Sequence, residues 1–202
     1  MTFEDEENSL DNWGEKMATY SQIELDIIKS FKGLMKDHEF TEISIKMIAE
    51  KADITRRGFY NHFLDKYDLV STIFEHDLFP TVISLTNIND WDQGSLFIVN
   101  YLQDNRDYYK KLLSLEGQNC LQTEFYKLTE MQIGILIPEI LVGRKISDED
   151  QAFLSDYYFH AYMGLTTEWV KGKYGFSTQE FVKRWKALLN NSMHNYLDNY
   201  AR

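Results

Sequence analysis

Ser44-Ile45-Lys46-Met47-Ile48-Ala49-Glu50-Lys51-Ala52-Asp53-Ile54-Thr55-Arg56-Arg57-Gly58-Phe59-Tyr60-Asn61-His62-Phe63 is the stretch that decides the fold. Ser44 reads as a helix cap, since its hydroxyl can accept from an amide near the first turn. Ile45, Ile48 and Ala49 follow at helical spacing and turn inward. Asp53-Ile54 breaks the helix, and Thr55 caps a second short one predicted to run through Phe63. Phe59 and Phe63, four apart, share one face and anchor that helix. Two short helices joined by a tight turn, braced by a preceding helix, form a helix-turn-helix. Such a unit presents its second helix to the DNA major groove.

With both phenylalanines turned inward, Arg56, Arg57, Tyr60 and Asn61 take outward positions, with His62 and Lys66 beyond. Arginine donates two bonds to guanine O6 and N7, and asparagine pairs with adenine. Thr55, the tyrosine hydroxyl, the histidine and Lys66 suit phosphates, and a helix start favours an anion. Ser44, Lys46 and Gly58 complete the candidate DNA-facing set. Taken alone, Arg56-Arg57 is more simply read as a solvated surface pair.

Working outward, Ser21-Gln22-Ile23-Glu24 reads as a capping box. Ile23, Ile27, Phe31, Leu34 and Met35 then mark one apolar face of a helix ending near His38. Phe40 and Ile43 plug the small core. Asp65 caps a helix from Lys66, with Leu69, Val70, Ile73 and Phe74 inward. Further helices are expected near 94–106, 108–116, 121–141, 149–172 and 178–198. Ser147 and Ser177 open the last two, and Lys171–Gly175 separates them. The run Asn87–Gln93 marks a boundary between units. The expected architecture is all-α, about nine helices, in three segments. Residues 1–19 are an acidic flexible tail, 20–66 the DNA-binding domain, and 67–202 a helical dimerisation and effector-binding domain.

Composition agrees. The 202 residues hold only two prolines and ten glycines, too few breakers for a many-stranded sandwich. A lone cysteine, Cys120, forms neither an internal disulfide nor a metal framework. The acidic start lacks the basic-then-apolar pattern of a signal peptide. Ile133–Val142 is too short to span a bilayer. A cytoplasmic protein is expected. The net charge of −11 argues against a nucleic-acid partner at first sight. Its distribution answers the objection: residues 1–19 hold six acids against one lysine, whereas residues 20–70 hold nine acids against eight bases.

The run from Ser44, continued by Asp65-Lys66-Tyr67-Asp68-Leu69, resembles the TetR/AcrR signature. The matched pattern is a Ser/Thr-started helix, Ile-Ala, Ala-x-Ile/Val-Ser/Thr, an aromatic pair ending in Tyr-x-His-Phe, and Lys-x-x-Leu, in order over about 26 residues. A match this long displaces the surface-pair reading. The resemblance implies that Tyr60, His62 and Lys66 contact phosphates, and that Arg56, Arg57 and Asn61 lie at or near base-reading positions. Gly58 departs from the family's Thr or Ser, which removes a hydroxyl and costs about 1 kcal/mol of helix propensity against alanine. Asp53 replaces the usual turn glycine, a position where Asp tolerates a left-handed conformation better than most residues.

The resemblance further implies a dimeric repressor released by a small molecule, with its last two helices in a four-helix dimer interface. Asn105–Leu113 resembles a segment of small Gram-positive members. Phe153, Tyr157, His160, Trp169, Phe181, Trp185, Leu188 and Leu189 are the interface candidates, and plain monomer core is the competing reading. Tyr101, Phe125, Met131, Tyr158, Tyr162 and Trp169 are candidates by type for an apolar effector pocket. A two-fold dimer predicts a pseudo-palindromic operator. No enzyme is expected: there is no Gly-x4-Gly-Lys loop, Gly-x-Ser-x-Gly elbow or His-Glu-x-x-His helix. No cofactor or metal is implied. The rival reading is a TetR-like dimer that acts through a protein partner without touching DNA.

Overall fold

Six of the nine helices among the described residues begin where a side-chain oxygen satisfies an amide of the first turn, and these caps set the architecture. The computed structural model describes Tyr20–Ile83, Trp91–Leu115, Cys120–Leu141 and Gly143–Ala201. The acidic segment 1–19 and Asn87–Asp90 of the expected boundary lie outside the described residues. Those residues contain nine α-helices and no strand. Two compact units divide at His76/Asp77, ten residues beyond the end of the motif-defined segment.

In the first unit, α1 spans Gln22–Asp37. Ser21 Oγ accepts from the Glu24 amide at 3.3 Å, and the Glu24 carboxylate accepts from the Ser21 amide at 2.7 Å. This closed capping box satisfies two amides that would otherwise lack partners. Ile27, Ile28, Phe31, Leu34 and Met35 are buried. Ile23 is not, being 46% exposed. It sits in the first turn, beyond the reach of the core its periodicity suggested.

A 3-10 turn, Phe40–Glu42, buries Phe40 edge-on against Phe31, with centroids 6.2 Å apart. Ser44 then caps α2, Ile45–Lys51. Asp53 takes φ +55° in the turn, and Thr55 caps α3, Arg56–Tyr60. The second short helix is thus shorter than its predicted end at Phe63. Past Tyr60 the amides of Asn61, His62 and Phe63 bond back into α3, and Phe63 remains buried. Asp65 Oδ1 accepts from the amides of Tyr67 and Asp68 at 2.7 and 2.9 Å and opens α4, Lys66–Ile83. The first half of α4 belongs to this unit. Tyr20 ties it down, donating to the Thr72 carbonyl at 2.9 Å and stacking on His76 at 3.9 Å.

The second unit holds α5 (Trp91–Asp104), α6 (Arg106–Leu112), α7 (Cys120–Leu141), α8 (Asp148–Val170) and α9 (Thr178–Tyr200). Trp91–Gln93, expected in a boundary, are the first turn of α5. Helices α7 and α8 pack together, as do α5 and α9, while α6 lies against α8. Ser147 and Ser177 cap α8 and α9 through their hydroxyls. Arg106 reaches the other end of α8: Nε donates to the Val170 carbonyl at 2.8 Å and a terminal nitrogen to Trp169 at 3.3 Å. A cation there satisfies carbonyls left over at the helix end and complements its negative pole. No helix among the described residues is long and apolar enough to cross a membrane.

Candidate nucleic-acid interface

Phe59 and Phe63 fix which way α3 faces. They are 0% and 3% exposed, with ring centroids 5.7 Å apart. Thr55, Arg56, Arg57, Tyr60 and Asn61 are all exposed as a result. Among the described residues, Arg56 and Arg57 make no hydrogen bond or ion pair. Thr55 Oγ1 accepts from the Gly58 amide at 3.0 Å. A Cβ on Gly58 would lie 3.5 Å from Thr55 Oγ1 and 3.6 Å from Ile54 Cβ, an ordinary contact. Packing does not demand glycine there.

Ser44 is exposed and caps α2, its Oγ accepting from the Met47 amide at 3.3 Å. Lys46 is exposed, with its ammonium 3.7 Å from Glu50 on the next turn. Lys46, Ala49, Glu50, Ile54 and Arg56 line an open cleft of about 490 Å³ between α2 and α3. Glu50 makes that cleft mixed in sign.

Two residues are more deeply engaged than spacing indicates. Lys66 donates to the carbonyls of Phe40 at 2.7 Å and Ile43 at 2.9 Å, and its ammonium lies 4.4 Å from the Phe40 ring centroid. Burial lowers its pKa, and Asp65 partly offsets this. One of the three ammonium protons is left for another partner. The half-buried His62 places Nδ1 3.4 Å from Glu24 Oε1. Burial pushes the Glu24 carboxyl up, but its bonds from Ser21 and then His62 outweigh that and hold it below its ordinary value. Sequence reading found Glu24 only as a cap. Its contact with a residue 38 positions away has no local signal.

In the second unit, the pocket candidates fall into separate groups. Phe125 meets Tyr162 edge-on at 6.3 Å, and both Tyr158 and Tyr162 pack on Trp185. The Tyr158 hydroxyl also contacts Ser192 Oγ at 2.9 Å. Trp169 stacks on Phe181 at 5.1 Å and donates its indole N–H to the Phe176 carbonyl. Tyr101 instead donates to Asp77 and meets Tyr109 edge-on. Burial, then the Asp77 carboxylate, pushes the Tyr101 pKa well up. Met131 is half-buried on α7. Of the interface candidates, Trp169, Phe181, Trp185 and Leu189 are buried within the chain itself. Phe153, Tyr157 and Leu188 are 58%, 52% and 60% exposed, and His160 is exposed beside them in sequence.

Both halves of the chain match known families. Residues 27–73 match "Bacterial regulatory proteins, tetR family" and residues 89–191 match "Transcriptional regulator C-terminal region". A relative from Lactococcus lactis subsp. lactis, the HTH-type dhaKLM operon transcriptional activator DhaS, is 32% identical over 148 residues, covering 70% of this chain and 76% of its own. The solved structure of dihydroxyacetone kinase operon activator DhaS superposes with TM-score 0.62 at 23% identity, over 90% of this chain and 99% of its own. A TetR regulator from Streptococcus agalactiae 2603V gives TM-score 0.60 at 18% identity, over 83% and 93% respectively. With its motif, its all-helical fold and both of its halves matched, the chain belongs to the TetR family of bacterial DNA-binding transcriptional regulators.

Proposed function

We propose that this regulator works as a cytoplasmic dimer that grips a pseudo-palindromic operator through two copies of α3. The observation that carries the reading is the solvent-facing set Arg56, Arg57, Tyr60 and Asn61, held outward by the buried Phe59–Phe63 pair. Arg56, Arg57 and Asn61 are assigned to base edges. Ser44, Lys46, Thr55, Tyr60, His62 and Lys66 are assigned to the phosphate backbone, with Gly58 in close approach.

The dimer surface is assigned to the outer stripe of α8 and α9 around Phe153, Tyr157, His160 and Leu188. A glycine in the same stripe supports this. A Cβ on Gly164 would meet nothing within 4 Å, so the chain's own packing does not call for glycine. A second copy crossing close to α8 would.

An effector that binds one separation of the two recognition helices more tightly than another shifts DNA affinity by that difference. The aromatic interior of the second unit is its assigned site, and release from DNA would relieve repression. Activation is the second reading, favoured because the 32% identical relative is named an activator. A reporter driven from the cognate promoter, with and without the protein, separates the two.

The test of DNA recognition is selection from a random duplex pool at two salt concentrations. A two-fold symmetric site, enriched at low salt and lost at higher salt, is the expected result. No enrichment by a folded dimer, with effectors supplied, would sink the DNA assignment and leave the partner-protein reading.

A further inference from the structure

His62 follows α3 and Glu24 lies in the first turn of α1, and the two meet beside the proposed DNA surface. Glu24 cannot easily turn away. Its Oε2 already accepts from the Ser21 amide at 2.7 Å and the Ser21 hydroxyl at 2.8 Å, which leaves Oε1 aimed at His62 Nδ1 at 3.4 Å. A carboxylate only accepts. A carboxylate at this distance favours a hydrogen on the nitrogen facing it in both charge states of the ring, the arrangement by which one partner biases a histidine's tautomer. In that tautomer the neutral ring offers Nε2 as a lone pair, which repels a phosphate. Only the imidazolium offers Nε2–H.

We propose that Glu24 is a positioning residue for DNA binding: by holding the Nδ1 proton of His62, it makes the imidazolium the form that donates to a backbone phosphate. The proposal rests on the DNA-binding reading above. Among the described residues, Glu24 on α1 is the charged group in contact with His62. On the neighbouring start of α4, Asp65 is bonded to its own helix amides and Lys66 to the carbonyls of Phe40 and Ile43. The low pKa of Glu24, with burial opposing and Ser21 and His62 prevailing, is consistent with a carboxylate that stays ionised.

Three full-length proteins test this: wild type, Glu24→Gln and His62→Gln. Each is titrated with a labelled random-sequence DNA duplex at low salt from about pH 6 to 8, the span in which imidazoles exchange a proton. Glutamine keeps the capping box, and circular dichroism checks the fold. Its amide can also donate to Nδ1, which lets the neutral ring present Nε2–H. Wild-type affinity is expected to fall with rising pH, by at most about tenfold per unit for each linked proton, or about a hundredfold for a dimer that uses both copies of His62. Glu24→Gln should have a shallower slope and hold relatively more affinity at pH 8, and His62→Gln should be shallower still. If Glu24→Gln keeps the wild-type slope while His62→Gln loses it, the Glu24 assignment is overturned. Equal slopes in all three remove His62 as well. A wild type that binds no duplex at any pH overturns the DNA reading and this proposal with it.

Discussion

Asp53 holds the turn between α2 and α3 at φ +55°, a conformation that most L residues adopt only at a cost. Asp53→Val should destabilise the protein by about 1–2 kcal/mol, since a β-branched residue is poorly suited to that region. Asp53→Gly should be at least as stable as wild type, and urea unfolding of the two variants checks both outcomes. Glu24 adds a pH term. Its folded pKa is depressed, so its contribution is present above the ordinary glutamate value and lost as pH falls through the folded one. Acid titration of unfolding stability should show a flatter acid limb in Glu24→Gln than in wild type. At this scale the turn residue and the inward phenylalanines were legible, because each is a local matter of dihedral angle or four-residue spacing. Lys66 was only half legible. Its charge and the family resemblance assign it to phosphate, yet two of its protons go to carbonyls whose position depends on how the Phe40–Glu42 turn folds.

Helix ends are written locally, and that is why the elements could be read. Ser21, Ser44, Thr55, Ser147 and Ser177 each place a hydroxyl on an amide three residues on. The stop after α8 is equally local: Gly172 takes φ +91°, a left-handed residue that closes the helix. What seals that end is not local. Arg106 arrives from 64 residues away to donate to the Val170 carbonyl. Arg106→Met should cost about 1–3 kcal/mol, the range for a charge-assisted hydrogen bond lost with its acceptor left behind. Thermal unfolding would measure it, and a loss below a few tenths would mean that water satisfies the carbonyls as well. The same limit applied to the aromatic residues of α8 and α9. Periodicity marked them as apolar, but only packing sorted Trp169, Phe181, Trp185 and Leu189 inward from Phe153, Tyr157 and Leu188 outward.

For the whole molecule, the exposed stripe leads to a prediction about assembly. Leu188→Glu should shift a dimer toward monomer in sedimentation, while leaving helix content unchanged, because Leu188 already faces solvent. Gly164→Trp should do the same by filling the close approach. A dimer unmoved by both changes would place the interface elsewhere. The neutral caps of α2 and α3 have one more consequence at this scale. Aspartate caps a helix about as well as threonine does, so Thr55→Asp should fold and pair normally. It would, however, set a negative charge against the DNA backbone. Mixed dimers of one normal and one altered chain would then carry a single working reading head. In a cell making both, such an allele would behave as a dominant negative, silencing the normal copy through partnership rather than through loss.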